Sequence, residues 1–166
     1  DSSDPVNVPG EILIKGANVF LGYFKNEEAT KSVFTKDGWF RTGDMGVVDE
    51  DGCLFIKGRS KCMILGPSGQ NIYPEEVETV INSQPYVVDS LVVEDDGGLT
   101  ALIYPDFAQG AKDGMNQDTF IKYIEDTLPE LNKELPNYAK LKKIEVMSED
   151  FERTPKKSIK RYLYQR

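Results

Sequence analysis

The sequence predicts an α+β fold of modest size, and three observations support that class. Two apolar runs, Val87–Glu94 and Leu99–Tyr104, flank Asp95-Asp96-Gly97-Gly98, the pattern of an antiparallel hairpin with a glycine-bearing turn. Pro74 is followed by Glu75, Glu76 and Glu78, while Val77, Val80 and Ile81 recur at i, i+3, i+4. That is an amphipathic helix with proline and acids at its positive end. Third, the texture changes at Gly58–Lys61. A β-rich stretch with one short helix precedes it, and strands mixed with helices follow. The expected architecture is a short antiparallel sheet with flanking helices on one side, behind a β-rich lead-in.

The elements follow in order. The opening DSSDPVNVPGEI is a polar loop running into a strand at Glu11–Lys15, and it reads as a start inside a longer chain. Asn26 is placed to cap a short helix through Phe34, with Glu27 and Glu28 in its first turn. Val47–Asp49 and Cys53–Lys57 flank Glu50-Asp51-Gly52 as a second hairpin. Met63–Leu65 is a brief strand, and Gly66–Asn71 is a loop rich in structure breakers. Asp118 is expected to cap a helix with Phe120, Ile121, Ile124 and Leu128 on its buried face. Pro129 starts a short helix to Leu135, and Pro136-Asn137-Tyr138 ends it. Leu141–Val146 reads as a strand and Ser158–Tyr164 as a terminal helix.

Composition narrows the function. The chain has 166 residues, 39% of them hydrophobic, and a formal charge of −8. The acidic balance argues against a nucleic-acid binder, which needs a basic face. The last fourteen residues are different: Arg153, Lys156, Lys157, Lys160, Arg161 and Arg166 lie there without one acid. No apolar run approaches the ~20 residues that span a bilayer. No transmembrane segment is therefore expected, although peripheral membrane contact is compatible with the sequence. Cys53 and Cys62 read as two reduced thiols, which places the chain in the cytoplasm. There is no histidine, so His-based general bases, Ser-His-Asp triads and His-ligated metals are excluded.

Several short motifs bear chemistry. In Gly38-Trp-Phe-Arg-Thr-Gly-Asp44, Asp44 is either a turn former or a carboxylate offered to the two hydroxyls of a ribose. In Gly58-Arg59-Ser60-Lys61, Arg59 is either part of a basic turn or a planar fork for phosphate or ribose oxygens. In Gly66-Pro67-Ser68-Gly69, Gly69 suits a plain loop or a place where a ligand passes too close for a Cβ.

Taken in order, GWFRTGD, GRSK, SGQNIYPEEVE and TPKKSIKR closely resemble the adenylate-forming acyl-CoA synthetase superfamily, over essentially the whole chain. The PEEVE segment and the ending ERTPKKSIKRYLY are most similar to long-chain fatty-acid–CoA ligases. The resemblance implies that residues 1–58 end a large AMP-binding domain, 59–61 form a hinge, and 62–166 form a mobile C-terminal domain. It implies that Asp44 holds the ATP ribose, Arg59 contacts the ribose and phosphate side, and Ile56 packs near the nucleotide. Lys61 matches the hinge, Gly69 the glycine beside the pantetheine tunnel, and Glu76 a structural acid at a helix start. It further implies ATP, Mg²⁺ and coenzyme A, a fatty acid substrate, and dependence on the N-terminal domain in cis. No metal ligand among these residues is implied. One departure stands out. The adenylation lysine of the family falls at Ser158 when counted from Thr154, with Lys157 before it and Lys160 after it. Lys157 is the expected substitute, against the plainer reading of a solvated basic tail. A non-catalytic binding module or an adenylating domain for amino or aryl acids are the alternatives.

Overall fold

The computed structural model describes residues 4–6, 8–67 and 69–166. Asp1–Ser3 and Asn7 of the polar lead and Ser68 of the Gly-Pro loop lie outside the described residues. The chain divides into two compact units, one ending at Met63 and the other running Ile64–Arg166.

The first unit is an antiparallel sheet in the order β1 (Gly10–Ile14), β2 (Phe40–Val48), β3 (Leu54–Arg59), with one helix, α1 (Glu27–Val33). The β2–β3 turn forms because Asp49 accepts backbone N–H bonds from Asp51 (3.0 Å) and Cys53 (2.7 Å). Gly52 there adopts φ +82, which any side chain would resist. Asn26 caps α1 by accepting from the Ala29 N–H at 3.0 Å. Phe20, Tyr23, Phe34 and Phe40 stack edge-on or tilted at 5.1–5.7 Å between ring centroids. No hydrophobic side chain among the described residues of this unit is fully buried, and Leu21, Phe24, Leu54, Phe55 and Ile56 are exposed.

The second unit has a dense core. The two-residue strands β4 (Ile64–Leu65) and β5 (Asn71–Ile72) pair and lead into α2 (Pro74–Asn82). Strands β6 (Val87–Asp95) and β7 (Gly98–Pro105) form the antiparallel hairpin, turned at Asp96 (φ 49) and Gly97 (φ 70). Positive φ at both central residues is what an Asp-Gly turn supplies. Strand β8 (Leu141–Val146) extends the sheet on the far side of β7, and it runs parallel. The expected antiparallel sheet is thus a hairpin with a parallel edge. Three helices, α3 (Phe107–Lys112), α4 (Gln117–Glu125) and α5 (Leu128–Glu134), connect β7 to β8, as a parallel crossover requires.

The sheet is covered on both faces. Val92, Leu99, Ala101, Ile103 and Ile144 share one core with Val77 and Ile81 of α2, Phe120 and Ile124 of α4, and Leu131 of α5. Leu91, Val93 and Leu102 point the other way and pack with Phe151, Met147, Ile159 and Tyr164. Burial on two faces explains why β6 and β7 are nearly continuous apolar runs rather than alternating ones. The helices lie on one side of the sheet, as expected, and an irregular C-terminal segment covers the second face. Ser158–Tyr164 is accordingly not a helix; only a 3₁₀ turn, Arg161–Leu163, forms. The cap of α4 is Asn116, which accepts from the Thr119 N–H at 2.9 Å, while Asp118 sits inside the first turn. Helix α3 escaped sequence reading because Gly110 lies in its middle. Among the described residues, no helix is long and apolar enough to cross a membrane.

Gly110 is buried, and a Cβ there would sit 2.9 Å from the ring of Phe120, itself 1% exposed. Gly110→Ala gains about 1 kcal/mol of helix propensity. Overpacking a ring that cannot yield costs about 1–3 kcal/mol. The expected outcome is a net loss of about 1 kcal/mol in urea unfolding, where an ordinary solvent-facing helix glycine would give a gain.

Candidate functional site

In the first unit, Asp44 and Arg59 are direct register partners across β2 and β3. The Arg59 Nε–Asp44 Oδ1 distance is 3.0 Å, and Arg59 Nη1 donates to the Thr42 carbonyl at 3.2 Å. The Asp44 N–H donates to the Thr42 hydroxyl (3.0 Å), and that hydroxyl donates to the Ile12 carbonyl (2.8 Å). Gly43, between them, takes φ +75. Thr42 therefore fixes both members of the pair, a part that sequence reading did not give it although it stands inside the FRTGD motif. A register shift between Met45 and Gly46 sets Ile56 opposite Gly46. Gly46 is two residues along β2 from Asp44, so Ile56 shares the face of Asp44 and Arg59. Without the bulge, Ile56 and Arg59 would lie on opposite faces. The side chains of Asp44 and Arg59 are 32% and 61% exposed. A pair this open contributes about 0–1 kcal/mol, so exchanging it for ligand hydroxyls costs little. Lys61 occupies the 3₁₀ turn Ser60–Cys62 immediately after β3.

In the second unit, two loops share one hydrogen-bond pattern. In the first, the Gly69 N–H donates to the Gly66 carbonyl (2.9 Å) and the Gly66 N–H to the Gln70 carbonyl (2.8 Å). In the second, the Lys157 N–H donates to the Thr154 carbonyl (2.8 Å) and the Thr154 N–H to the Ser158 carbonyl (2.8 Å). Each is a three-residue hairpin connection with proline second in the turn and a left-handed residue fourth. The left-handed residue is Gly69 (φ 77) in one and Lys157 (φ 65) in the other. Backbone conformation alone thus favours glycine at 69, where an added Cβ would meet nothing within 4 Å. At 157 the same conformation holds a lysine, at a cost of about 1–2 kcal/mol. Lys156, Lys157 and Ser158 are all exposed. Lys160 is engaged: its ammonium is 3.0 Å from Glu152 Oε2, which holds it above its usual range. The structure thus separates the two candidate lysines, one presented at a turn tip and one held in an ion pair.

Residues 62–166 match the model of the AMP-binding enzyme C-terminal domain. The chain belongs to the adenylate-forming enzymes. A long-chain-fatty-acid–CoA ligase, FadD15 of Mycobacterium tuberculosis, is 34% identical over 172 aligned residues, covering 92% of this chain and 28% of that protein. A 2-succinylbenzoate–CoA ligase of Bacillus cytotoxicus is 47% identical over 89 residues, covering 54% of this chain and 18% of that protein. The structure of O-succinylbenzoate coenzyme A synthetase from Bacillus subtilis in complex with ATP and magnesium ion superposes with a TM-score of 0.75 at 30% identity, over 95% of this chain and 30% of that one. The chain thus spans between 18% and 30% of the length of these relatives.

In this chain a buried carboxylate ties the C-terminal segment to α2. Glu78 is 8% exposed, accepts from the Val92 N–H at 2.7 Å, and pairs with Arg161. Glu76, the acid singled out by resemblance, is exposed on the same helix. No spacing could have paired residues 78 and 161, because the contact crosses the whole domain. Burial pushes the Glu78 carboxyl above its ordinary range, against the pull of Arg161 and the Val92 N–H.

Glu78→Ala takes from Arg161 its nearer carboxylate, with Glu75 still at 3.8 Å, and leaves the Val92 N–H unmet, with an expected cost of about 2–3 kcal/mol in chemical denaturation. The sign of the pH effect follows from the raised carboxyl. Between its unfolded and folded values the native state binds more protons than the unfolded state, so stability falls as pH rises through that window. Glu78→Gln removes that slope; an unchanged slope in pH-dependent unfolding would assign it elsewhere.

Proposed function

We propose that this chain is the C-terminal portion of an ATP-dependent acyl-CoA ligase acting on a long-chain fatty acid. The observation that carries the reading is the shared face of Asp44, Arg59 and Ile56: a carboxylate for ribose hydroxyls, a guanidinium for phosphate or ribose oxygens, and an apolar side chain 69% exposed beside them. That no hydrophobic side chain among the described residues of the first unit is fully buried supports its being the edge of a larger AMP-binding domain. A sheet whose Leu54, Phe55 and Ile56 face solvent has apolar surface for another layer. The fatty-acid substrate rests on the FadD15 match, which extends over 92% of this chain. The higher identity to a 2-succinylbenzoate ligase over 54% of it favours an aryl acid as the second reading.

In the first step a carboxylate oxygen of the substrate attacks the α-phosphorus of ATP. The bond to pyrophosphate breaks, and acyl-adenylate forms. Negative charge gathers on the α-phosphate, and the Lys157 ammonium at its turn tip is the group of this chain assigned to stabilise it. Mg²⁺ supplies further charge neutralisation when bound. In the second step the sulfur of coenzyme A attacks the acyl carbonyl, and the carbon–oxygen bond to AMP breaks. Lys61 is assigned the hinge between the steps and Gly69 a place along the thiol's path. The 166-residue chain alone is expected to be inactive, and the protein is placed in the cytoplasm.

In the whole protein, Lys157→Ala should lower fatty-acid-dependent pyrophosphate release by about 10²–10³, roughly 3–4 kcal/mol. Thioester formation from supplied acyl-adenylate should be spared. Normal adenylation by that variant would move the role to Lys160 or Ser158. Running the same assay with an aryl acid separates the two substrate readings. Lys61→Pro restricts the backbone at Ser60 and should preserve adenylation while blocking thioester formation. Equal loss of both half-reactions would count against a hinge at 61.

A further inference from the structure

We propose that Arg153 is a positioning residue that holds Lys157 in its left-handed turn, and so sets where the adenylation lysine stands. This rests on the assignment of Lys157 above. Lys157 pays a conformational penalty that glycine at the matching position of the Gly66–Gln70 loop avoids. A strained residue at a turn tip persists only where its surroundings over-determine it. Arg153 supplies that constraint. Its Nη1 donates to the Lys157 carbonyl at 3.3 Å, so one guanidinium nitrogen grips the peptide group of the strained residue itself. Its Nη2 bonds Asp89 Oδ2 at 2.8 Å and Asp150 Oδ1 at 2.9 Å.

Asp89 belongs to β6, an edge strand paired along its length with β7, so the guanidinium links the turn tip to the sheet. Arg153 also pairs with Ile159 across the foot of the hairpin, and Ile159 packs against the second face of the sheet. Asp150 is held below the usual carboxylate range by Arg153, so the clamp stays charged through neutral pH. The planar fork matters here. A lysine has three donors but on a single nitrogen, so it cannot span the carbonyl and the two carboxylates as the two terminal nitrogens of arginine do.

The test uses the whole protein that carries this chain, with Arg153→Ala, Arg153→Lys and Asp89→Asn. Three quantities are read: the adenylation rate and its KM for ATP, thioester formation from supplied acyl-adenylate, and the rate at which a lysine-specific protease cuts the Lys157–Ser158 bond. Misplacement of a reacting group by about 1 Å costs on the order of 100-fold. Arg153→Ala is therefore expected to lower the adenylation kcat about tenfold to 100-fold, with the KM for ATP and the second half-reaction unchanged. Cutting at Lys157–Ser158 should accelerate while the melting temperature holds. Arg153→Lys, which retains the charge, should show the same pattern more weakly, and it serves where the alanine variant does not fold. Unchanged adenylation, or a parallel fall in both half-reactions and in melting temperature, overturns the proposal. Should Lys157→Ala itself adenylate normally, the lysine assignment fails. The clamp is then judged by proteolysis: an unaltered cutting rate in Arg153→Ala overturns it, and faster cutting sustains it.

Discussion

The second unit depends on burying both faces of a three-stranded sheet. Helices α2, α4 and α5 close one face, and their shared core with Val92, Ala101 and Ile103 is the larger of the two buried clusters among the described residues. The other face is closed by a segment with almost no regular structure, through Phe151, Ile159 and Tyr164. A segment of that kind has few backbone hydrogen bonds of its own to hold its shape. Its shape is imposed by what it covers and by the ion pairs at its edges: Glu78 with Arg161, Asp89 with Arg153, and Asp95 and Glu145 with Arg166. The basic ending of an acidic chain is thereby explained in large part as structure. Three of its arginines are fasteners, Lys160 is paired with Glu152, and Lys156 and Lys157 remain exposed at the turn tip.

This arrangement links packing to chemistry. A lysine presented at the tip of a tight hairpin has its backbone fixed by local bonds and its base fixed by the sheet. The repeated loop design, once with Gly69 and once with Lys157, makes the cost visible, because the same left-handed position is easy for one residue and strained for the other. In the first unit the constraint is different. There a bulge in β3 brings Ile56 to the face of Asp44 and Arg59, and Thr42 anchors the pair. The pair is exposed enough to open for a ligand and ordered enough to meet it in one geometry.

Much of this was legible in the sequence. The Asp-Gly turn of the β6–β7 hairpin, the proline and acids at the start of α2 and the Asn26 cap are local rules, each set by residues a few positions apart. So were the order of the motifs and the family they resemble. The motifs also singled out Asp44 and Arg59, although their pairing came only from strands longer than the expected Val47–Asp49 and Cys53–Lys57.

What only the tertiary structure decided is everything that joins distant residues or overrides a local preference. The parallel placement of β8, the role of the C-terminal segment as a sheet cover, and the tie from Glu78 to Arg161 all depend on contacts that no window of sequence contains. The terminal stretch has the composition of a helix yet forms none, because Pro155 and the left-handed Lys157 serve the hairpin and the apolar residues after them serve the sheet. Local propensity amounts to tenths of a kcal/mol per residue, whereas burying one large apolar side chain is worth about 1.5–3 kcal/mol. Where the two disagreed, burial prevailed.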